Sequence, residues 1–128
     1  MVAGAFSFEN IVAWKKAHLF ACLVYRITRD FPEDEKFGLT SQFRRAAVSI
    51  GANVAEGYKK LSKADNLRFL NISEGSFAEC QNYIVLSHDL GYLGKEEYIE
   101  LCNSATEVGK LLISYSNAII NTKLNNLG

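Results

Sequence analysis

A single proline, Pro32, interrupts this chain of 128 residues. Proline removes a backbone donor and clashes with the preceding helical turn, so its near-absence leaves room for long helices, and the apolar residues are spaced to match. Tyr98, Leu101, Ala105, Val108, Leu112, Tyr115 and Ile119 alternate by threes and fours, the a/d pattern of a bundle helix. Phe43, Ala46, Ala47, Ile50 and Val54 form one helical stripe after Leu39 and Thr40, where Thr40 reads as the N-cap. A first helix from about Glu9 to Asp30, beginning near Ser7, places Trp14, Ala17, Ala21, Val24 and Thr28 on one face. Phe20, Leu23, Ile27 and Phe31 widen that face beyond the single stripe of a surface helix, which leaves apolar area for a partner subunit to cover. A third helix opens at Ser62-Lys63-Ala64-Asp65, a start like a capping box. It carries Leu67, Leu70, Phe77 and Ile84 beside Phe69, Ile72, Cys80, Tyr83 and Leu90, and closes at Gly91 as a C′ residue. Gly94 opens the fourth, with Glu96 and Glu97 in the first turn where the dipole favours acids. Every connection is short except FPEDEKFGL, and short connections make successive helices antiparallel neighbours. The expected fold is all-α, an antiparallel up-and-down four-helix bundle in one domain over residues 1–128, with the polar tail Asn121–Gly128 frayed.

Composition narrows the classes. Hydrophobic residues make up 48 % and charged residues 22 %, too apolar for intrinsic disorder and enough for a core without staples. Cys22, Cys80 and Cys102 are far apart and show no CxxC or Cys/His spacing, which fits buried thiols in a reducing compartment. The start MVAGAFSFEN has no basic stretch leading into an apolar one, so no signal peptide is read. No run of about 18 apolar residues occurs, so no membrane span is expected. The expected location is cytoplasmic. Ferritin-like metal sites need Glu-x-x-His pairs, and neither His18 nor His88 has a Glu three residues before it. No metal or other cofactor is expected. No nucleophile elbow, zincin, P-loop or dinucleotide motif is present, so no catalytic residue is assigned.

Arg45, Ser49, Asn53 and Glu56 recur at i, i+4, i+8 and i+11 and form a second, polar stripe on the second helix. Ser and Asn are middling helix formers, so an ordered stripe of them points to a surface that meets something. The third helix offers Ser73, Ser76 and Glu79, with Gly75 beside them to permit close approach. The expectation is an interhelical polar network of Arg45, Ser49, Asn53, Glu56, Ser76 and Glu79 that fixes the register of the two middle helices, with a polar pocket as the alternative. If the network is buried, removing Arg45 or Glu56 should cost about 3–5 kcal/mol.

Net charge is zero but unevenly spread. Residues 36–68 carry seven Lys/Arg against two acids, and residues 69–128 carry three against seven. Such a division fits either an anion-binding face or complementary surfaces within an assembly. Arg44, Lys59, Lys60, Lys63 and Arg68 form the basic concentration, a candidate contact for the phosphates of RNA or DNA. No base-stacking platform or recognition-helix signature accompanies it.

FGLTSQFRRAAVSIGANVAEG, then FLNISEGSFAE and LGYL, with Phe8, Trp14, Phe31 and Pro32 at the first helix, resemble the family of 23S rRNA intervening-sequence proteins. Gly51 stands where that family often has proline, Phe43 where it has an aliphatic residue, and Ser73 and Glu74 replace a small residue and its neighbour. The resemblance covers nearly the whole chain. It implies a cytoplasmic bacterial four-helix bundle that assembles as a ring-shaped homopentamer. A similar protein serves as accessory factor to the reverse transcriptase of diversity-generating retroelements and binds nucleic acid through basic surface residues, so RNA, DNA, a reverse transcriptase or another protein are the partners implied. Zero net charge argues against a structural ribosomal protein. The reading is a non-enzymatic homo-oligomeric adaptor for nucleic acid; the alternative is a protein-interaction scaffold.

Overall fold

The computed structural model describes residues 4–122. Four helices carry the chain: α1 Val12–Thr28, α2 Leu39–Tyr58, α3 Lys63–Asp89 and α4 Lys95–Ile120. No strand occurs among the described residues. Contacts between named residues fix the helix directions. Arg44, early in α2, bonds Thr28 and the Tyr25 carbonyl at the end of α1. Tyr83, late in α3, reaches Gln42 early in α2, and Ser76 meets Ser49 at mid-helix. Lys63 at the start of α3 donates to the Ile120 carbonyl at the end of α4, and Arg26 late in α1 pairs with Glu100 early in α4. Each helix is therefore antiparallel to its two neighbours, in the ring order of an up-and-down bundle.

The α2 stripe enters the core as its spacing requires. Phe43, Ala47, Ile50 and Val54 are fully buried, against Phe20 and Val24 of α1, Leu70 and Cys80 of α3, and Leu101, Val108 and Leu112 of α4. Each large side chain withdrawn from water contributes about 1.5–3 kcal/mol, and this shared cluster is what holds four amphipathic helices together. The wide apolar face of α1 is used within the chain: Phe20, Ile27 and Phe31 are buried and Leu23 packs against the core. It is not the surplus surface that the sequence suggested, because α2 and α4 cover both of its edges.

Helix ends differ from expectation at two places. α1 starts later than Glu9. Residues Ser7–Asn10 form a separate 3₁₀ turn, in which the Glu9 carboxylate accepts the Phe6 N–H at 3.0 Å. Phe8 packs edge-on against Trp14, with ring centres 5.0 Å apart. Thr40 is not the N-cap of α2; it lies inside the helix and is buried. Gly38 takes the cap position, and Glu35, from a 3₁₀ turn Glu33–Glu35, accepts the Leu39 N–H at 3.2 Å. A carboxylate there satisfies a free donor and suits the helix dipole. The other ends follow the sequence. Ser62 Oγ accepts the Asp65 N–H, and Glu97 accepts the Gly94 N–H at 2.8 Å. α3 closes with Gly91 at φ +79° while Tyr92 and Gly91 donate to the carbonyls of Ser87 and His88, a Schellman closure. The tail from residue 123 on lies outside the described residues.

Candidate nucleic-acid interface and interhelical polar set

The α2–α3 corner is tight because Gly57 has no side chain. A Cβ there would stand 2.8 Å from Asn66 Oδ1 and 3.0 Å from the Asn66 carbonyl and the Phe69 Cβ. The two helices thus meet across a four-residue turn and bring Lys59, Lys60, Lys63 and Arg68 to one end of the bundle. Lys60 and Arg68 both lie over the Phe69 ring, at 4.9 and 4.6 Å from its centre. Cation–π contact of this kind holds a side chain without consuming its charge. Arg68 also approaches Asp65 at 3.6 Å and Lys60 approaches Glu56 at 4.0 Å, both exposed pairs of little energetic weight. Lys63 donates to the Ile120 carbonyl at 2.7 Å, which satisfies an end carbonyl of α4 with a cation.

Arg44 does not belong to this corner. Fifteen residues of helix, roughly 22 Å, separate it from Lys59. It is fixed on α1 instead: Nε donates to Thr28 Oγ1 at 2.8 Å, Nη2 to the Tyr25 carbonyl at 3.3 Å, and the guanidinium stacks on the Tyr25 ring at 4.6 Å. It acts as a clamp between α1 and α2, which removes it from the phosphate-contacting set.

The polar stripe divides in two. Ser49, Asn53 and Ser76 form a relay: Asn53 Nδ2 donates to Ser49 Oγ at 2.9 Å, and Ser76 Oγ donates to Ser49 Oγ at 2.8 Å. Ser73, fully buried, donates to the Ile50 carbonyl at 2.8 Å. Hydroxyls therefore tie α2 to α3 along the middle of the bundle. Arg45, Glu56 and Glu79 are exposed, so within the single chain they are not the buried charges of the expected network. The helical wheel explains the difference, since these residues fall on the outer side of the stripe and the short hydroxyls on the inner side. Among the described residues Glu79 accepts the Tyr83 hydroxyl, at 3.4 Å. Tyr83 also donates to Gln42 at 3.2 Å, and its burial and the Glu79 charge raise its pKa. Gly75 has nothing within 4 Å of where a Cβ would stand; it faces open space, and the expected close approach within the chain is absent.

The family model described as 23S rRNA-intervening sequence protein matches residues 9–114. The chain belongs to that family. The matched span takes in α1, α2, α3 and most of α4, and so holds both the basic corner and the hydroxyl relay. Among solved structures the chain is similar to a protein of unknown function from the S23 ribosomal protein family of Bacteroides thetaiotaomicron, at 31 % identity and a TM-score of 0.73, over 82 % of this chain and 98 % of that one. No curated protein matches. No helix among the described residues is long and apolar enough to cross a membrane.

Three contacts of this intervening-sequence bundle had no signal in the sequence: Arg44–Thr28, Tyr83–Gln42 and Tyr92–Glu35, the last at 2.8 Å. Each joins residues at least 16 positions apart, so no local period announces them. The cysteines are free and differ in setting. Cys80 is fully buried, and burial with the Glu79 charge pushes its thiol up to about 12. Cys22 is exposed, 3.9 Å from His18 Nε2. It lies on an open groove of ≈ 530 Å³ between α1 and α2.

Proposed function

We propose that the chain is a non-enzymatic, homo-oligomeric adaptor, a pentamer as its family resemblance implies, that grips the phosphate backbone of RNA or DNA at the α2–α3 corner. The observation that carries the reading is the gathering of Lys59, Lys60, Lys63 and Arg68 at one tight turn of the bundle, with two of them held over Phe69. A few cations bind a polyanion weakly by counterion release, and repetition around a ring multiplies the effect. Contacts of this type position a nucleic acid and do not read its bases. A cytoplasmic setting and a reverse transcriptase as protein partner accompany this reading by resemblance.

The test is a binding titration with single strands, duplex DNA and structured RNA over a series of salt concentrations. The expected result is a log Kobs that falls by about 0.7–0.9 per neutralised phosphate for each tenfold rise in salt. Lys59→Glu with Lys60→Glu should weaken all sequences alike and leave the assembly intact. Absence of binding at about 50 mM salt, where phosphate contacts are strong, contradicts the reading. A second reading, a protein-interaction scaffold, is favoured by one observation: Leu61 at the same corner is fully exposed and Tyr58 beside it is 40 % exposed. Apolar side chains of that kind anchor protein contacts.

A further inference from the structure

The connection from α1 to α2 gathers a second set of cations, at the end of the bundle opposite the α2–α3 corner. The length of α2, roughly 30 Å, separates the two. A pocket of ≈ 260 Å³ lies there, lined by Arg29, Glu33, Lys36, Thr40 and Arg44, with Phe31 and Pro32 as its apolar side. Three cations thus share the pocket with one carboxylate. Among the described residues Arg29, Glu33 and Lys36 form no ion pair, and Lys36 rests over the Phe37 ring at 5.5 Å. The fold leaves this surplus of positive charge unspent.

Thr40 is the second, independent sign. It is 8 % exposed, it caps no helix end, and its hydroxyl has no hydrogen-bond partner among the described residues. Side-chain atoms sealed from solvent without a partner are Asn66 Oδ1 and Ser87 Oγ, so Thr40 Oγ1 is not sealed and opens on the pocket that Thr40 lines. Its neighbours are already engaged. Thr28 Oγ1 donates to the Val24 carbonyl at 2.7 Å and accepts Arg44 Nε at 2.8 Å. The Glu35 carboxylate is divided between the Leu39 N–H and the Tyr92 hydroxyl. Backbone polarity favours an anion at the same place. The N–H groups of Thr40 and Ser41 in the first turn of α2 have no acceptor among the described residues, and they stand at the positive end of the helix dipole. The carbonyls that end α1 are taken: Tyr25 by Arg44, Ile27 and Thr28 by the N–H groups of Asp30 and Phe31. An arginine has five N–H donors, and Thr28 and Tyr25 use one each on Arg44, so the rest remain for a ligand.

We propose that this pocket binds a phosphate monoester, with the Thr40 hydroxyl and the remaining Arg44 donors on the phosphate oxygens and Arg29 and Lys36 supplying charge. Three cations less the Glu33 carboxylate leave a surplus of two, which matches the charge of about −1.5 to −2 on a monoester near neutral pH. A phosphate group alone does not fill the pocket, and the apolar side at Phe31 and Pro32 receives the carbon portion of the ester. A free mononucleotide and the terminal phosphate of a strand both carry this group. The site is separate from the α2–α3 corner and stands without the adaptor reading.

The test is calorimetric titration of the intact protein with inorganic phosphate, with AMP, and with a short strand that carries or lacks a terminal phosphate. Inorganic phosphate and AMP should bind saturably. Thr40→Val keeps the shape of the side chain and removes the hydroxyl. It should weaken AMP about tenfold or more, as loss of a hydrogen bond to a charged group does, while the thermal midpoint holds or rises because the hydroxyl has no partner within the fold. Arg29→Gln and Lys36→Gln should each weaken AMP as well. Lys59→Glu with Lys60→Glu, at the far end of α2, should leave its affinity unchanged. In that doubly changed background a strand with a terminal phosphate that outbinds both its unphosphorylated form and AMP assigns the pocket to strand ends. Tighter binding of AMP assigns it to a mononucleotide, and either result upholds the site. No saturable binding of any probe at millimolar concentration overturns the proposal. So does an AMP affinity that Thr40→Val leaves untouched, a lower midpoint for Thr40→Val, or loss of AMP binding in the Lys59→Glu, Lys60→Glu protein.

Discussion

At the scale of single residues the hydroxyl relay and the Cys80 thiol make separable claims. Ser73→Ala leaves the Ile50 carbonyl without its α3 donor and Ser76→Ala breaks the link to Ser49. Each should lower unfolding free energy by about 0.5–1.5 kcal/mol, the usual net worth of a hydrogen bond, as read from urea denaturation. Arg45→Ala and Glu56→Ala, which strand no buried charge within the chain, should stay within about 0.5 kcal/mol when measured on the dissociated chain. Cys80 adds a pH dependence. Its folded pKa is raised from 9.0 to about 12, so the folded state holds that proton more tightly than the unfolded chain does. The stabilisation is complete below pH 9 and is lost as pH rises toward 12, at up to about 1.4 kcal/mol per pH unit. Tyr83 and Tyr92, raised by burial and by the Glu35 hydrogen bond respectively, act in the same direction. Denaturation midpoints from pH 8 to 11 should therefore fall more steeply for the parent than for Cys80→Ala, and equal slopes would exclude the buried thiol as the cause.

Helix ends and corners form the next scale. Glu35 bonds both the first N–H of α2 and the Tyr92 hydroxyl beyond α3, so Glu35→Ala should cost about 0.5–2 kcal/mol, as caps do. Gly91→Ala forces a side chain into the left-handed region at φ +79° and should cost about 1–2 kcal/mol, visible as a lower thermal midpoint. These elements also show what a sequence can disclose. The stripes of α2 and α4, the Ser62 start and the Gly91 stop follow from local period and local chemistry, and the structure places them as that chemistry requires. Thr40 misled because a Thr before an apolar stripe is a common cap, whereas the actual cap comes from Glu35 in a 3₁₀ turn with no periodic signature. Arg44 misled because charge was counted along the chain, and only the crossing of α1 and α2 shows that Thr28 and Tyr25 hold it. In the polar stripe the spacing gave the right face of α2 but not the inner and outer edges, which depend on how deeply α3 sits.

For the whole molecule the account joins a family membership and a basic corner at the α2–α3 turn. The basic corner supplies too few charges on one chain to hold a polyanion firmly, so the adaptor reading depends on assembly. The solved relative from Bacteroides thetaiotaomicron shares the bundle, and its function is unknown, so activity must be measured on this chain itself. Mass in solution bears on the matter most directly. Light scattering coupled to size-exclusion chromatography at micromolar concentration should give a closed assembly near five times the 14.3 kDa chain, unchanged on dilution through the micromolar range. A monodisperse species of 14.3 kDa would contradict the account.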